Sequence, residues 1–324
     1  MKKSWKPSAS IQDLVKRSEI ITKIRSFFLE KKILEVETPL LSKATVTDIN
    51  LIPFETNYFS SENNLNQLKL WLITSPEYHM KRLLAAKSGP IYQICHSFRN
   101  QEYGQYHNPE FTILEWYQNS CSMKKFIYQI DLFFQDVLQF KKSEKISYQD
   151  VFIKYLNVDP FSTQLSELHK ISKKFNLAHL TFSEKNLNTL IETLFTLIIE
   201  PLLGQEKPVF IYNFPVAQAS LAAVNNKDHR VAERFEIFFK GIELGNGFYE
   251  LTNYLENKER LINNNKKRYE MNLTLQKIDN NFLNAIYYGL PPCSGVAIGI
   301  DRLIMIALNK KNIEEVISFS FDRC

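Results

Sequence analysis

The sequence predicts an α+β fold, and three observations carry that prediction. Helical periodicity follows Ser10, and it follows Ser75-Pro76-Glu77 again. Between Pro90 and Tyr117 two apolar runs flank a polar turn, the pattern of an antiparallel hairpin. The last third returns to strand-like runs and holds six of the nine glycines (Gly241, Gly245, Gly247, Gly289, Gly295, Gly299), which places tight turns or close backbone approach there. A length of 324 residues allows about two domains or one large α/β or α+β domain. No internal repeat or low-complexity linker marks a boundary, so a single domain over 1–324 is expected.

The elements follow in order. Ser10 is placed as an N-cap with Asp13 three residues on, and Ile11, Leu14, Val15, Ile21, Ile24 and Phe28 fall near helical spacing. LEVETPLL alternates Leu34 and Val36 with Glu35 and Glu37 until Pro39 ends the run, as in a strand. Ser75, Pro76 and Glu77 supply a cap residue, a proline at the first helical position and an acid in the first turn. That helix runs through YHMKRLLAAK to Gly89. Residues 118 to about 208, FIYQIDLFFQDVL among them, read as a mainly helical insertion with little that resembles a site.

Composition narrows the function classes. A hydrophobic share of 44% and a charged share of 23% are ordinary for a soluble globular protein. The net charge of +5 suits an acidic partner or a nucleotide but falls short of a dedicated nucleic-acid binder. The densest basic run, Asn263 to Arg268, reads as a solvated helix face or loop ahead of a nucleic-acid patch. Cys95, Cys121, Cys293 and Cys324 form no C-x-x-C pair and no histidine cluster completes a zinc site, so reduced, structural thiols are expected. Lys2 and Lys3 lead into no apolar signal-peptide stretch, and the run Leu194 to Leu203 is broken by Thr196, Glu200 and Pro201. A cytoplasmic protein with no membrane partner is the expectation.

Four segments carry chemistry. In SFRNQEYGQYHNPEFTILEWY, Phe111, Ile113, Glu115 and Tyr117 share one face of the second strand, and Arg99 is the last residue before the turn. An arginine fork beside an aromatic platform suits phosphate and a flat base; a surface salt bridge over an aromatic core also fits. In GIELGNGFYEL, Glu243 and Glu250 flank Gly-Asn-Gly, a turn able to fold two carboxylates toward one site. Such a pair suits magnesium near a phosphate, while two unrelated surface glutamates are the plainer reading. In SGVAIGIDRL, Gly295, Ala297 and Gly299 share one face and Val296, Ile298 and Ile300 the other. The small face admits something flat or packs beneath a helix. Asp301 is placed to cap the next helix, with Arg302 in its first turn. The segment has neither the dinucleotide fingerprint nor a P-loop. Finally, Glu77 at a helix start can hold a substrate ammonium or merely complement the helix dipole.

In this order the segments resemble the catalytic core of class II aminoacyl-tRNA synthetases. LEVETPLL is similar to the first motif, FRNQEYGQYHNPEF to the second and GVAIGIDRL to the third. HNPEFTILEWY and ELGNGFYEL are similar to the lysyl branch. WKPSAS, ATVTDI, TSPEYHMKRLL, FPVAQASLA and PPCSGVAIGIDRL extend the resemblance, over nearly the whole chain, to truncated lysyl paralogues that attach (R)-β-lysine to a lysine of elongation factor P.

The resemblance implies an antiparallel sheet flanked by helices, a homodimer with Pro39 near its interface, and ATP bound in a bent form. It implies that Arg99 contacts the α-phosphate and His107 the outer phosphates, and that Asn100, Gln101, Asn108 and Leu244 lie at the nucleotide. Phe111 and Arg302 would sandwich adenine, Arg99 and Arg302 being the catalytic pair, and Gly299 would give close backbone approach. Glu243 and Glu250 would hold Mg2+. Ser75, Pro76, Glu77, Glu115, Tyr117, Glu250 and Ala297 would line the site for the two amines of β-lysine or lysine. The implied reaction activates the amino acid as an adenylate and transfers it to elongation factor P.

Two positions refine the comparison. The second motif of the family has Arg-x-Glu, whereas here the third position is Gln101, followed by Glu102. A hydrogen bond to a charged group is worth about 1.5–3 kcal/mol against about 1 for a neutral one, so somewhat weaker ATP binding is expected, with activity retained. Ala297 stands where lysyl-tRNA synthetase has glycine, a one-methyl difference of the kind that discriminates substrates by about 1–3 kcal/mol. The chain begins with the helix before the first motif, which leaves no room for an N-terminal anticodon-binding barrel. That and the modest charge argue against the rival reading, a truncated enzyme charging tRNA or a small amine. A non-catalytic synthetase-like subunit is the other rival, opposed by Arg99, Glu243, Glu250 and Arg302.

Overall fold

The computed structural model describes residues 5–59 and 67–324; Lys2 and Lys3, the charged start of the N-terminal reading, lie outside them. The first elements are α1 (Ile11–Glu30), β1 (Leu34–Glu35), β2 (Leu41–Ser42), β3 (Glu55–Phe59), β4 (Gln67–Leu72) and α2 (Glu77–Ala85). The hairpin β5 (Ile91–Phe98) and β6 (Glu110–Asn119) comes next. Then follow α3 (Met123–Leu138), β7 (Glu144–Ser147), α4 (Tyr148–Leu156), α5 (Leu165–Lys174), α6 (Ala178–Thr181) and α7 (Leu187–Leu194). The chain continues with β8 (Val209–Tyr212), β9 (Arg234–Phe239), β10 (Ile242–Tyr249), α8 (Tyr254–Glu270), α9 (Asn280–Gly289), β11 (Cys293–Gly299) and α10 (Ile300–Ala307). The chain divides into two compact units, Met1–Ser122 with Glu250–Cys324, and Met123–Tyr249.

In the first unit the strands run in the order β1-β5-β6-β11, and a separate sheet has the order β2-β4-β3. The long strand β6 is antiparallel to β5 on one side and to β11 on the other. The edge pair β1–β5 is parallel, a departure from an all-antiparallel sheet. A parallel neighbour needs a long crossover, and β2, β3, β4 and α2 supply it.

The two faces of this sheet do different work. Trp116 stands opposite Tyr92 on one side and Val296 on the other, and all three are buried. Helix α1, capped by Ser10 Oγ accepting the Asp13 N–H at 3.1 Å, covers that face. Phe28 stacks on Tyr92 with centroids 4.0 Å apart and meets Trp116 edge-on at 5.2 Å. The opposite face carries the rows Ile91–Tyr117–Gly295 and Gln93–Glu115–Ala297, as the two-residue period requires. Helix α2 packs on α9 through Tyr78 and Phe282, stacked with centroids 4.2 Å apart.

Asp301 does not cap α10. Its carboxylate turns back, pairing with Arg17 at 2.6 Å and accepting the Thr112 N–H at 2.8 Å. Arg17 also donates to Thr112 Oγ1 at 2.9 Å and to the Val316 carbonyl at 3.1 Å. A buried carboxylate gains more from a charged partner than from a helix end. In the basic run 263–268, Arg268 is likewise no solvated residue: it is buried, donating to the carbonyls of Thr274 and Asp48 at 2.7 and 2.6 Å.

In the second unit the order is β10-β9-β8-β7, with β7 parallel to β8. The stretch read as a mainly helical insertion contains α3 to α7 and also β7. Its core packs the aromatic rings of Tyr148, Phe152, Phe195, Phe214 and Phe238 among aliphatic side chains such as Val151, Leu168, Leu190 and Ile199. Gly245-Asn246-Gly247 is not a turn: the three residues pair with Ile237, Glu236 and Phe235 inside β10. The turn lies earlier, at Lys240-Gly241, both with positive φ, where a Cβ on Gly241 would come within 2.9 Å of the Pro201 carbonyl oxygen. Strand pairing with β9 engages backbone groups that a Gly-Asn-Gly turn would leave open, and it prevails.

All four cysteines are free thiols. Among the described residues no helix is long and apolar enough to cross a membrane. Since Phe28 is wholly buried between Tyr92 and Trp116, Phe28→Ala is expected to cost about 3–5 kcal/mol of stability, read from denaturant midpoints.

Candidate active site

The face of β6 away from α1 holds a buried carboxylate. Glu115 is 2% exposed, between Gln93 and Ala297 in the row of side chains. Both of its oxygens accept hydrogen bonds, Oε1 from the Tyr117 hydroxyl and Oε2 from the Ser75 hydroxyl, each at 2.7 Å. The helix begins one residue later than the sequence predicts, with Pro76 as N-cap and Glu77 first, and Ser75 Oγ accepts the Glu77 N–H at 3.1 Å while its hydroxyl orients Glu115. Pro76 accepts the Met80 N–H at 3.0 Å and closes the first turn.

One turn along α2, Lys81 brings a second and a third carboxylate together. Its side chain is 1% exposed, and Nζ lies 2.6 Å from Glu77 Oε1 and 2.6 Å from Glu250 Oε2. The Glu250 N–H donates to the Cys293 carbonyl at 2.9 Å, which fixes the backbone beneath its carboxylate. Gly295 completes the floor. A Cβ there would overlap the Tyr117 ring and sit 2.6 Å from Glu250 Oε1, so only glycine fits.

Burial and charge set the protonation states. Burial, reinforced by the charge of Glu77, pushes the Glu115 carboxyl up to about 8, although Tyr117, Ser75 and Lys81 pull the other way. Burial also raises Glu250, and Lys81 opposes it. For Lys81, burial would depress the ammonium, but Glu250 and Glu77 together hold it above its ordinary value. Burial and neighbouring carboxylates keep the Tyr117 hydroxyl protonated as a donor. A buried carboxylate cluster of this kind takes cations.

The other end of the hairpin is basic. Arg99 lies 5.0 Å over the Phe111 ring, and its Nε is buried with no hydrogen-bond partner, as an anion-binding arginine would be before its ligand arrives. Glu102 approaches both Arg99 at 3.8 Å and His107 at 3.9 Å. Arg302 donates from Nε to the Tyr106 carbonyl at 3.1 Å and touches the His107 ring. A Cβ at Gly299 would meet only the Arg302 side chain, at 3.8 Å, so internal packing does not demand glycine there. Asn108 ties the turn: its amide donates to the Glu110 carbonyl at 2.7 Å and accepts the Phe321 N–H at 3.0 Å. Asn100 donates its N–H to the Ile52 carbonyl at 2.8 Å, and Gln101 is exposed with φ +69°.

Glu243 and Leu244 belong to the second unit, where Leu244 is the extra residue of a bulge between the pairs Glu243–Phe238 and Gly245–Ile237. Among the described residues no group of three or more His, Cys, Asp or Glu side chains is placed to hold a metal ion. Glu250, 2% exposed and paired with Lys81, does not fit a metal-ligand role. Sequence reasoning passed over Lys81, Glu102 and the Arg17–Asp301 pair. For Lys81 there was a signal, its position four residues after Glu77, the spacing of a helical ion pair.

Comparison with known proteins agrees with this geometry. Residues 5–323 match the family of class II tRNA synthetases (D, K and N). The chain is 68% identical over 323 residues to the elongation factor P–(R)-β-lysine ligase of Buchnera aphidicola subsp. Schizaphis graminum (strain Sg), covering 100% of both chains. It is also 68% identical over 323 residues to the protein of that name from Buchnera aphidicola subsp. Acyrthosiphon pisum (strain APS), covering 100% of this chain and 99% of the other.

The Glu115 carboxyl carries a stability consequence. Between its ordinary value of 4.5 and the raised value of about 8, the native state keeps a proton that the unfolded chain gives up. Stability of the ligand-free protein therefore falls as pH rises through that window, by at most about 1.4 kcal/mol per unit. Glu115→Gln should remove this part of the slope, measured by urea unfolding at pH 5 and pH 8.

Proposed function

We propose, for a chain that belongs to the family of class II tRNA synthetases (D, K and N), the activity its full-length relatives are named for: a ligase that joins (R)-β-lysine to elongation factor P. The observation that carries this reading is 68% identity along the whole chain. The acidic pocket around Glu115 supports it, because it suits a substrate with two ammonium groups.

ATP is the second substrate in this reading. Glu77, Glu115 and Tyr117 hold the amines of β-lysine or lysine, with Ser75, Pro76, Glu250 and Ala297 around them. Arg99 holds the α-phosphate and His107 the outer phosphates, with Asn100, Gln101, Asn108, Leu244 and Gly299 along the nucleotide and adenine between Phe111 and Arg302. The buried, unbonded Nε of Arg99 supports the first of these roles. The substrate carboxylate attacks the α-phosphorus in line, and the bond to pyrophosphate breaks. Arg99 and Arg302 offset charge already present or developing, so the chain acts by positioning and electrostatics. A lysine amine of the acceptor then attacks the activated carbonyl, and AMP leaves.

Magnesium, when bound, supplies charge neutralisation at the phosphates. Glu243 would hold it, since Glu250 is engaged by Lys81. A homodimer with Pro39 near the interface is part of the proposal, supported by exposed Ile11, Val15, Leu29 and Leu34 on α1 and β1. Free thiols support a cytoplasmic setting. The net charge of +5 argues against tRNA as acceptor.

The decisive experiment supplies ATP with (R)-β-lysine or α-lysine, and either elongation factor P or tRNA, and reads the acceptor mass. A mass increase on elongation factor P is expected; a charged tRNA with unmodified protein would sink the reading. Arg99→Ala should abolish pyrophosphate exchange in a protein that still folds, and near-normal exchange would remove Arg99 from its role. Glu115→Gln should raise KM for the amino acid by tenfold or more with KM for ATP little changed, in line with about 1.5–3 kcal/mol for a charged hydrogen bond.

A further inference from the structure

Arg17, on α1, meets three partners that lie far from it in sequence. Its Nη1 lies 2.6 Å from Asp301 Oδ1 and donates to the Val316 carbonyl at 3.1 Å, and Nη2 donates to Thr112 Oγ1 at 2.9 Å. Asp301 closes the network, its Oδ2 accepting the Thr112 N–H at 2.8 Å. That bond falls where β11 has ended: Gly299 is its last residue, opposite Ile113, and the Asp301 carboxylate serves the next N–H of β6. Asp301 and Thr112 are buried, and the Arg17 side chain is 15% exposed. The helix has other attachments. Phe28 packs into the core, and Lys310 pairs with Asp13 at 2.7 Å. The N–H groups of Ser8 and Ala9 donate to the Ser318 and Ile317 carbonyls at 2.7 and 3.2 Å. A buried ion pair adds little net stability, because desolvation offsets its attraction, so geometry is the larger part of what this one supplies.

The two residues that the network holds are chain neighbours of the two assigned to adenine: Thr112 follows Phe111, and Asp301 precedes Arg302. Side chains alternate along β6, so Thr112 turns toward α1 while Phe111 lies on the face that carries Glu115. Phe111 and Arg302 are half-buried, and the neighbours that anchor them are buried. We infer, resting on the nucleotide reading above, that Arg17 is a positioning residue for the base. Through Thr112 and Asp301 it fixes how far apart Phe111 and Arg302 stand, and with that the width of the slot for a flat ring. Width matters because a gap of about 0.5–1 Å forfeits a quarter to a half of the contact attraction. Arginine suits the task, since its planar fork holds a carboxylate, a hydroxyl and a carbonyl at once, whereas a lysine ammonium is a point charge. The phosphates are assigned to Arg99 and His107, neither of which bonds to Arg17, Thr112 or Asp301.

The alternative is that Arg17 only fastens α1, and two variants separate the cases. Arg17→Lys keeps a charge opposite Asp301 but loses the fork. Arg17→Met with Asp301→Asn removes both charges, keeps an acceptor for the Thr112 N–H, and decides the matter if the lysine variant does not fold. Calorimetric titration with ATP and with tripolyphosphate reads the base and phosphate grips separately. Wild-type protein should bind ATP about tenfold or more tighter than tripolyphosphate, the scale of one stacked base. Each variant should lose that preference, with ATP affinity down about tenfold and tripolyphosphate within about twofold of wild type. In pyrophosphate exchange, KM for ATP should rise by the same factor while KM for the amino acid stays within about twofold. Equal losses for the two ligands would show that Arg17 serves the fold alone and would overturn the inference, as would an unchanged affinity for ATP. Wild-type protein that binds both ligands alike has no base slot to position, which also overturns it. Wild-type protein that prefers ATP yet leaves elongation factor P unmodified would overturn the proposed activity instead, and the titrations would still decide the role of Arg17.

Discussion

Carboxylates removed from water need protons or cations, and three of them meet in one pocket of this protein. That constraint organises the elements around it. Ser75 must stand just before α2 to donate to Glu115, Lys81 must follow one turn later to reach Glu77, and Glu250 must stand where Lys81 can meet it. A buried ion pair of this kind gives little net stability, because desolvation offsets most of the attraction. The stabilising contribution comes from the other side of the same strands, where the rings of Phe28, Tyr92 and Trp116 pack together and the Tyr92 hydroxyl donates to Glu35. One sheet face is given to stability and the other to a charge cluster that the first must sustain.

The hairpin β5–β6 separates two kinds of charge along its length. Its turn end gathers Arg99, His107 and Arg302, and its far end Glu115 and Tyr117. Rigid pairing on both sides of β6 prevents these ends from approaching or drifting. The Arg17–Asp301–Thr112 network adds a brace where α1, β6 and α10 meet, through Asp301, the residue that precedes Arg302. Orientation at the basic end therefore depends on a helix far away in sequence.

What was legible in the sequence was what local physics decides. The Ser10 cap, the hairpin, and the alternation of Gly295, Ala297 and Gly299 against Val296, Ile298 and Ile300 follow from side-chain chemistry and a two-residue period. The misread features were decided by partners remote in the chain. Gly245-Asn246-Gly247 has turn-forming residues, but β9 offers a ladder and the strand continues through them. Asp301 has the right residue type for a cap, but Arg17 lies closer in space. The backbone partners of the Asn108 amide, at Glu110 and at Phe321, were likewise not legible locally. Lys81 shows one partner in its helical spacing, while Glu250, the partner that makes it a bridge, arrives from the last quarter of the chain.

Gly295 shows what such a pocket means for the descent of the sequence. Any other residue adds at least a Cβ, which would strike the Tyr117 ring and the Glu250 carboxylate together. Relaxing one clash by moving Tyr117 strips a donor from Glu115, and moving Glu250 breaks its pair with Lys81. Drift at this codon is closed in every direction unless several neighbours change at once. Ala297, one step along the same face and half-exposed, has no such lock, so a lineage adjusting the shape of its substrate has room to do so there.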